Sequence, residues 1–302
     1  MVKYLRLLLW IYKYGFINLF YRVNNKKSIH IKESKRFIPG GTSIADSDLF
    51  GAFPTLCGFA AEDDQIFSKF RRYEIFLKVV DFVRMEQGYL YIDEILKYEL
   101  KKKKKGGGIS NDYKKSLKSI DSVGKPKKYR FNRHGVYSPN ALKYLKVYLD
   151  LRNLFGDFSS FKLTEIGVGF GGQASVINQL NKPFSYHLYD IPPVLNLASR
   201  VLNKLNSGGN FHLMDGRRPE YFNSDLLISN DAFSELSREI QDEYLKNVVL
   251  NASRGYITWN SWSSTYLGGY SLAELVRVIP NSQIIPEKPL SGKENAIIVW
   301  GH

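Results

Sequence analysis

Leu163-Thr164-Glu165-Ile166-Gly167-Val168-Gly169-Phe170-Gly171-Gly172 decides how this chain is read. A short apolar run ends in an acid, a glycine-rich turn follows, and a helix predicted over 173–180 comes next. Glycine lets the backbone turn tightly and approach a ligand closely, and a helix start offers unpaired N–H groups. That is the layout of a nucleotide-type cofactor site. Gly167, Gly169 and Gly172 satisfy G-x-G-x-x-G, a pattern that by itself also permits a dinucleotide.

Outward from this stretch, strand and helix patterns alternate. Strands are expected at 161–166, 184–189, 210–214, 225–230, 254–259, 283–286 and 296–300. Helices are expected at 173–180, 194–205, 237–250 and 271–279, the last carrying a capping pattern, Ser271 with Glu274. Such alternation predicts an α/β fold with a parallel, doubly wound, Rossmann-like sheet. The short polar connection from Glu287 to Asn295 makes the last two strands an antiparallel hairpin at the sheet edge.

Three acids bear on the cofactor. Glu165 lies two residues before Gly167, where a carboxylate can accept from an ammonium but would repel a pyrophosphate. Asp190 ends the second strand, at the distance where an acid holds both ribose hydroxyls; this device serves NAD and S-adenosylmethionine (SAM) alike. Asp215 ends the third strand, placed to accept from an adenine amine. No Tyr-x-x-x-Lys follows the glycine loop, so no hydride-transfer site is apparent. The reading is SAM, with Glu165, Gly167, Gly169, Gly171, Asp190, Asp215 and Asn230 as cofactor-binding candidates.

Three segments carry a family resemblance: Glu165 to Gly172, Tyr189-Asp190-Ile191-Pro192-Pro193-Val194, and Leu226 to Glu239 with its Ser-Glu-Leu-Ser-Arg-Glu run. Arg254 to Asn260 adds to them. Together they resemble the sugar O-methyltransferases, class I SAM-dependent enzymes found with bacterial surface-polysaccharide genes. The resemblance covers roughly 130–302 and implies methyl transfer to a sugar hydroxyl of a surface glycan, or of its nucleotide-linked or lipid-linked precursor.

A sugar hydroxyl is a poor nucleophile at neutral pH, so a base should remove its proton. Glu235 and Asp231, after the fourth strand, face the mouth expected at the carboxyl ends. Both also have plain structural readings, as a turn former and a first-turn helix acid. His134, in the Tyr129–Tyr137 segment, is the third candidate, because an imidazole titrates near neutrality. Asn260, Trp262 and Tyr266 follow the fifth strand and could stack on and hydrogen-bond a sugar, or equally fill core. Asp215, Asp231 and Glu235 form no clear metal-ligand set, so no metal is expected.

Charge bears on partners. The chain of 302 residues has a net charge of +14. Residues 1–36 contribute +8 and residues 97–130 contribute +10, which leaves the remainder at −4. A domain built to track phosphates should be basic on its own working face, so no nucleic-acid partner is expected. Asn230-Asp231-Ala232-Phe233 also stands where an amino-methylating enzyme would carry Asn/Asp-Pro-Pro-aromatic. Methyl transfer to another acceptor stays open, as does a non-catalytic SAM-binding assembly protein at a membrane. A homo-oligomer is also left open. Cys57 is the lone cysteine, which excludes an internal disulfide and fits a reducing, cytoplasmic location. No cleavable signal peptide is read.

Residues 1–128 read as a helical accessory region and 129–302 as the methyltransferase domain. Helical periodicity runs through Ile66, Phe70, Tyr73, Phe76, Leu77, Val80 and Val83, with a second helix expected over 89–100. Residues 38–64 read as irregular, and 101–128, opening with five lysines, as a mobile basic loop. A helix over 140–154 is expected, capped by Asn140. Met1 to Tyr21 mixes aliphatic and aromatic residues with Lys3, Arg6 and Lys13. Its uncharged runs are far shorter than the roughly 20 residues a span needs, which favours an interfacial helix on anionic lipid at the inner face of a membrane. A helix packed on the chain's own core, or a dimer contact, is the competing reading. Deleting residues 1–36 is expected to release the protein from anionic vesicles in a flotation assay while SAM binding persists. Vesicle association that survives the deletion would rule out the interfacial helix.

Overall fold

The computed structural model describes residues 51–101, 108–205 and 207–302, all within the unit Pro39–His302. The expected interfacial helix, and most of the lysine run, lie outside the described residues. The helices, in chain order, are α1 (Ala52–Glu62), α2 (Asp64–Phe67), α3 (Glu74–Val79), α4 (Met85–Lys101), α5 (Asn111–Ile120), α6 (Pro139–Phe155), α7 (Gly172–Asn181), α8 (Pro192–Lys204), α9 (Arg238–Asn247), α10 (Ser261–Leu267) and α11 (Leu272–Val278). A two-stranded ribbon, β1 (Tyr129–Arg130) and β2 (Val136–Tyr137), precedes α6. The main sheet holds β3 (Lys162–Ile166), β4 (Ser185–Asp190), β5 (Phe211–Asp215), β6 (Leu226–Asn230), β7 (Gly255–Trp259), β8 (Gln283–Pro286) and β9 (Ala296–Trp300).

The sheet order is β5-β4-β3-β6-β7-β9-β8. The first five strands run parallel, and β9 is antiparallel to both β7 and β8. This is the doubly wound sheet with an antiparallel terminal hairpin that the alternation predicts. The order reverses between β3 and β6, so the carboxyl ends of those two strands flank the crevice where such sheets take ligands.

Strand alternation divides the core in two. Side chains two apart on a strand share a face. Leu163, Leu226, Ile228, Ile297 and Val299 face one buried cluster, whereas Leu227, Ile257, Ile298 and Trp300 face the other with α9 and α11. The first cluster also takes in Phe53 and Cys57 of α1, Phe76 of α3, Ile95 of α4 and Ile120 of α5. The stretches expected as accessory region and cofactor domain thus share one buried cluster. Among the described residues no helix is long and apolar enough to cross a membrane.

The structure corrects several sequence expectations before β3. The periodic run from Ile66 to Val83 is not one helix. It breaks into α2, a 3-10 turn at Phe70–Arg72, and α3. Arg71 is the reason: this guanidinium is fully buried, and it donates to Asp81 at 2.7 Å, to the Ile120 carbonyl and to Ser138. A straight helix would point Arg71 and Phe70 to different sides, but both are buried here. The stretch read as irregular holds α1, since Pro54 falls in the first turn, where its missing N–H is no loss. The basic stretch read as a loop holds α5, which buries Tyr113, Leu117 and Ile120 at helical spacing. Helix α6 is capped by Ser138, with Pro139 in the first turn. Asn140 instead bridges the α3–α4 connection, accepting from the Val83 N–H and donating to the Val80 carbonyl.

Arg71 also faces Asp121 at 3.7 Å and lies 4.6 Å from the centroid of the Phe170 ring in the glycine loop. Removing one member of a buried charge set strands the others, at a cost of about 3–5 kcal/mol. Arg71→Met is therefore expected to lower urea-unfolding stability by about that amount. A loss under about 1 kcal/mol would show that Asp81 and Asp121 are satisfied without it.

Candidate functional site

Three strand ends build the site. β3 delivers Glu165, β4 delivers Asp190 and β5 delivers Asp215, with Asp190 and Asp215 directly opposite in register. Glu165 lies on the same face as Leu163 and is 2% exposed. The Tyr186 hydroxyl, from the neighbouring strand, donates to it at 2.6 Å. Burial pushes its pKa up to about 8; the Tyr186 bond opposes this and the nearby Asp190 adds to it. No cation among the described residues pairs with this carboxyl.

The glycine loop gathers the second acid. Asp190 accepts from the Gly169 N–H at 3.1 Å and from its neighbour Ile191 at 2.8 Å. Gly167 has φ +77, and a methyl group placed on it would stand 2.0 Å from the Ala232 side chain. The loops after β3 and β6 therefore meet at the switch point, and only a residue without a side chain fits between them. Gly171 starts α7 from a left-handed conformation. Cys57 of α1 is fully buried with Asp190 among the charges it feels, and burial pushes its thiol pKa up. Asp215 is more exposed; Arg217 pairs with it at 2.5 Å and holds its pKa down.

The loop after β6 carries the other candidates. Asn230 has both side-chain amide atoms shielded from solvent and without a hydrogen-bond partner. A buried amide left so costs free energy that a ligand could recover. Asp231 has φ +67, unusual for a residue with a side chain. Its neighbours enforce this: its N–H donates to Thr258, whose hydroxyl donates back to the carboxylate, and Lys143 donates to the other oxygen at 2.7 Å. Its carbonyl accepts from Ser234. Asp231 is 7% exposed and fully engaged, so it serves better as a fixed anion than as a base.

Glu235 closes the 3-10 turn Ala232–Glu235 and is partly buried. Burial, then repulsion from Asp231, pushes its pKa up to about 7, while Lys143, Ser263 and Asn260 pull the other way. Ser263 donates to it at 3.4 Å. A carboxyl poised near neutrality suits proton abstraction. His134 ends a separate 3-10 turn before β2. The charged groups facing it are Arg133, Asp93 and Lys114, none from the loop of Asp231 and Glu235. Burial and the cations lower its pKa. The structure thus gathers Asn230, Asp231 and Glu235 and leaves His134 outside that group. Ser237 precedes α9 without a side-chain cap bond, while Ser234 accepts from the Asn260 N–H. Among the described residues no cluster of three or more His, Cys, Asp or Glu side chains is arranged to hold a metal.

Lys143, Tyr186 and Glu287 join the site without having been singled out in the sequence. Lys143 is buried on α6, with Phe82 as a ring 4.9 Å from its ammonium and Glu287 among the groups that favour its charge. One signal could have found it: Lys143, Lys146 and Asp150 repeat at helical spacing among the apolar residues that fill the middle of the helix.

No protein-family model and no curated protein match the chain. Among solved structures it is similar to magnesium protoporphyrin IX methyltransferase (ChlM) from Synechocystis PCC 6803 with bound SAM. That match has a TM-score of 0.42 and 13% identity over 72% of this chain and 97% of that one. It is also similar to the pyocyanin biosynthetic protein PhzM, with a TM-score of 0.40 and 16% identity over 53% of this chain and 56% of that one. The mitomycin 7-O-methyltransferase MmcR gives a TM-score of 0.38 and 16% identity over 47% and 49%. The chain thus spans about half the length of the latter two. Likeness of this extent leaves the site to be read from the chain's own residues.

Glu165 makes a sharp pH prediction for the protein without ligand. Its carboxyl titrates near 4.5 when unfolded and near 8 when folded. The folded state therefore favours the neutral form. Its contribution to stability is complete below about pH 4.5 and is lost as pH rises through about 8. Glu165→Gln is expected to flatten the fall in melting temperature across that window. An unchanged slope would mean the carboxyl is ionised in the fold.

Proposed function

We propose that this chain is a SAM-dependent O-methyltransferase whose acceptor is a sugar hydroxyl of a bacterial surface glycan or its nucleotide-linked or lipid-linked precursor. One observation carries the cofactor part. At the sheet's switch point a buried carboxyl, Glu165, has a phenol beside it and no cation, and the Asn230 amide nearby is buried without partners. An ammonium would satisfy the first and a polar ligand the second. Asp190 and Asp215 stand where acids can accept from ribose hydroxyls and an adenine amine. When bound, SAM supplies a methyl group activated by a positively charged sulfur. The sugar acceptor is supported by the sequence resemblance and by the aromatic and hydroxyl side chains after β7.

The chain's own residues divide the work as follows. Lys143 and Thr258 lock Asp231; burial, and then repulsion from Asp231, keep the Glu235 carboxyl basic enough to take a hydroxyl proton. Ser263 and the Asn260 cap of α10 orient it. Alignment of the attacking oxygen with the methyl carbon supplies much of the rate. Because the base must be ionised, kcat should rise with pH through about 7.

Calorimetry with SAM tests the cofactor assignment. The intact protein is expected to bind, and Glu165→Gln to weaken binding by at least about tenfold through loss of a charge-assisted contact. No binding by the intact protein would sink the proposal. Glu235→Gln is expected to keep SAM affinity while kcat with a competent sugar acceptor drops by about 10²–10⁴. A His134→Gln variant that suffered that loss instead would transfer the base to His134.

A further inference from the structure

Two large aromatic side chains stand in water on the helix whose Ser263 reaches the proposed base. Trp262 is 57% exposed and Tyr266 is 53% exposed. Their rings stack almost parallel, with centroids 5.4 Å apart and planes 10° apart. They lie four residues apart on α10, so they share one helix face. Isolated exposed aromatics are ordinary. Phe184 is equally exposed at the amino end of β4, far along the strands from the switch point, and has no ring partner among the described residues. The Trp262–Tyr266 pair differs in being doubled and carried on a helix that is hydrogen-bonded to Glu235 through Ser263.

The mounting is rigid. The Asn260 side chain caps α10 by accepting from the N–H groups of Trp262 and Ser263. The Asn260 N–H donates to Ser234, which fixes the helix start to the β6 loop. Ser261 donates to the Lys293 carbonyl, and its N–H donates to Asn295, tying the same turn to the loop before β9. Gly268 ends the helix in a left-handed turn, and Ser264 and Trp259 both donate to the Tyr270 carbonyl. Ser263, the residue after Trp262, donates to Glu235. The ring platform and the base therefore belong to one cross-braced unit.

We propose that Trp262 and Tyr266 form the stacking platform on which the acceptor ring rests while its hydroxyl meets Glu235. The acceptor class that fits is an uncharged pyranose; this rests on the function proposed above. A pyranose has a face of C–H bonds that packs on an aromatic ring and an edge of hydroxyls that donate to acceptors. The surroundings supply an acceptor in Glu235, while Asp231 and Glu287 are buried acids that face the ammonium of Lys143. That ammonium is already held by Asp231. A phosphate beside the platform would meet more negative than free positive charge, which favours a neutral ring over a nucleotide as the group that stacks. The platform is a positioning device, and no bond is made or broken by it.

Saturation-transfer NMR on the full chain tests this without any need for turnover. The probes are the methyl α- and β-pyranosides of glucose, galactose and mannose, with glucitol, galactitol and mannitol as open-chain controls and adenosine as a flat-ring control. At least one pyranoside is expected to bind saturably, with transfer strongest at its ring C–H protons, and the alditols are not. Trp262→Ala should weaken that binding by at least about tenfold, while Trp262→Phe, which keeps a ring, stays within about threefold. Both side chains are exposed, so circular dichroism should show every variant folded.

Three results would overturn the platform: no pyranoside bound by folded protein, pyranoside binding that survives both Trp262→Ala and Tyr266→Ala, or adenosine bound in a way that Trp262→Ala abolishes. SAM calorimetry on the same samples reports separately on the function. Protein that binds SAM but no pyranoside loses the platform and keeps the cofactor site. Protein that binds a pyranoside through Trp262 but no SAM keeps the platform and loses methyl transfer.

Discussion

A carboxyl group buried at the end of the central strand governs this structure. Glu165 has left water almost completely, and its compensation is the phenol of Tyr186 on the next strand. Desolvation on this scale favours the neutral acid, hence the rise to about 8. The Tyr186 phenol occupies one of the Glu165 oxygens, and no cation among the described residues pairs with this carboxyl. Its presence makes sense if a cation is meant to arrive. The turn that follows obeys the same logic. Gly167 admits the loop of Ala232 against the backbone, and Gly169 turns its N–H onto Asp190, so two acids from adjacent strands come to share one crevice.

A second buried charge set lies on the other side of the crevice, at the loop after β6. Lys143 reaches out of α6 to hold Asp231 in a backbone conformation that a residue with a side chain seldom adopts. Strain of this kind persists only where neighbours over-determine it, and it gathers at working sites. Here Thr258, Ser234 and Lys143 do so together. The result is a fixed negative charge near Glu235; burial first, and that charge second, lift the Glu235 carboxyl to about 7, where it can exchange a proton at neutral pH. Helix α6 thus belongs to the site as much as to the scaffold.

The sheet was legible in the sequence because its signals are local. Apolar runs, the glycine turn and an acid at each strand end sit within a few residues of one another, and all seven strands fall within a residue or so of expectation. The helices before β3 were less legible, because what shapes them is distant in sequence. Arg71 breaks a periodic helix to reach the carbonyl of Ile120, 49 residues on, and Ser138, 67 residues on, and no window of a dozen residues contains those pairings. The part of the candidate site that follows β6 was hidden for the same reason. Glu235 could be singled out from its place after the fourth strand, but Lys143 lies 88 residues from Asp231 and its role exists only after folding. His134 had the right chemistry for a base, and its ribbon turns it toward Asp93 and Lys114 instead.

The central claim is that Glu165 waits, protonated, for a cation. SAM calorimetry at pH 7 in buffers of different ionisation enthalpy measures this directly. An arriving ammonium should draw the carboxyl down from about 8 to its ionised form, so binding should release close to one proton, and Glu165→Gln should abolish the release. Binding with no proton released, or with release unchanged in Glu165→Gln, would contradict the assignment of this carboxyl to the cofactor's amine.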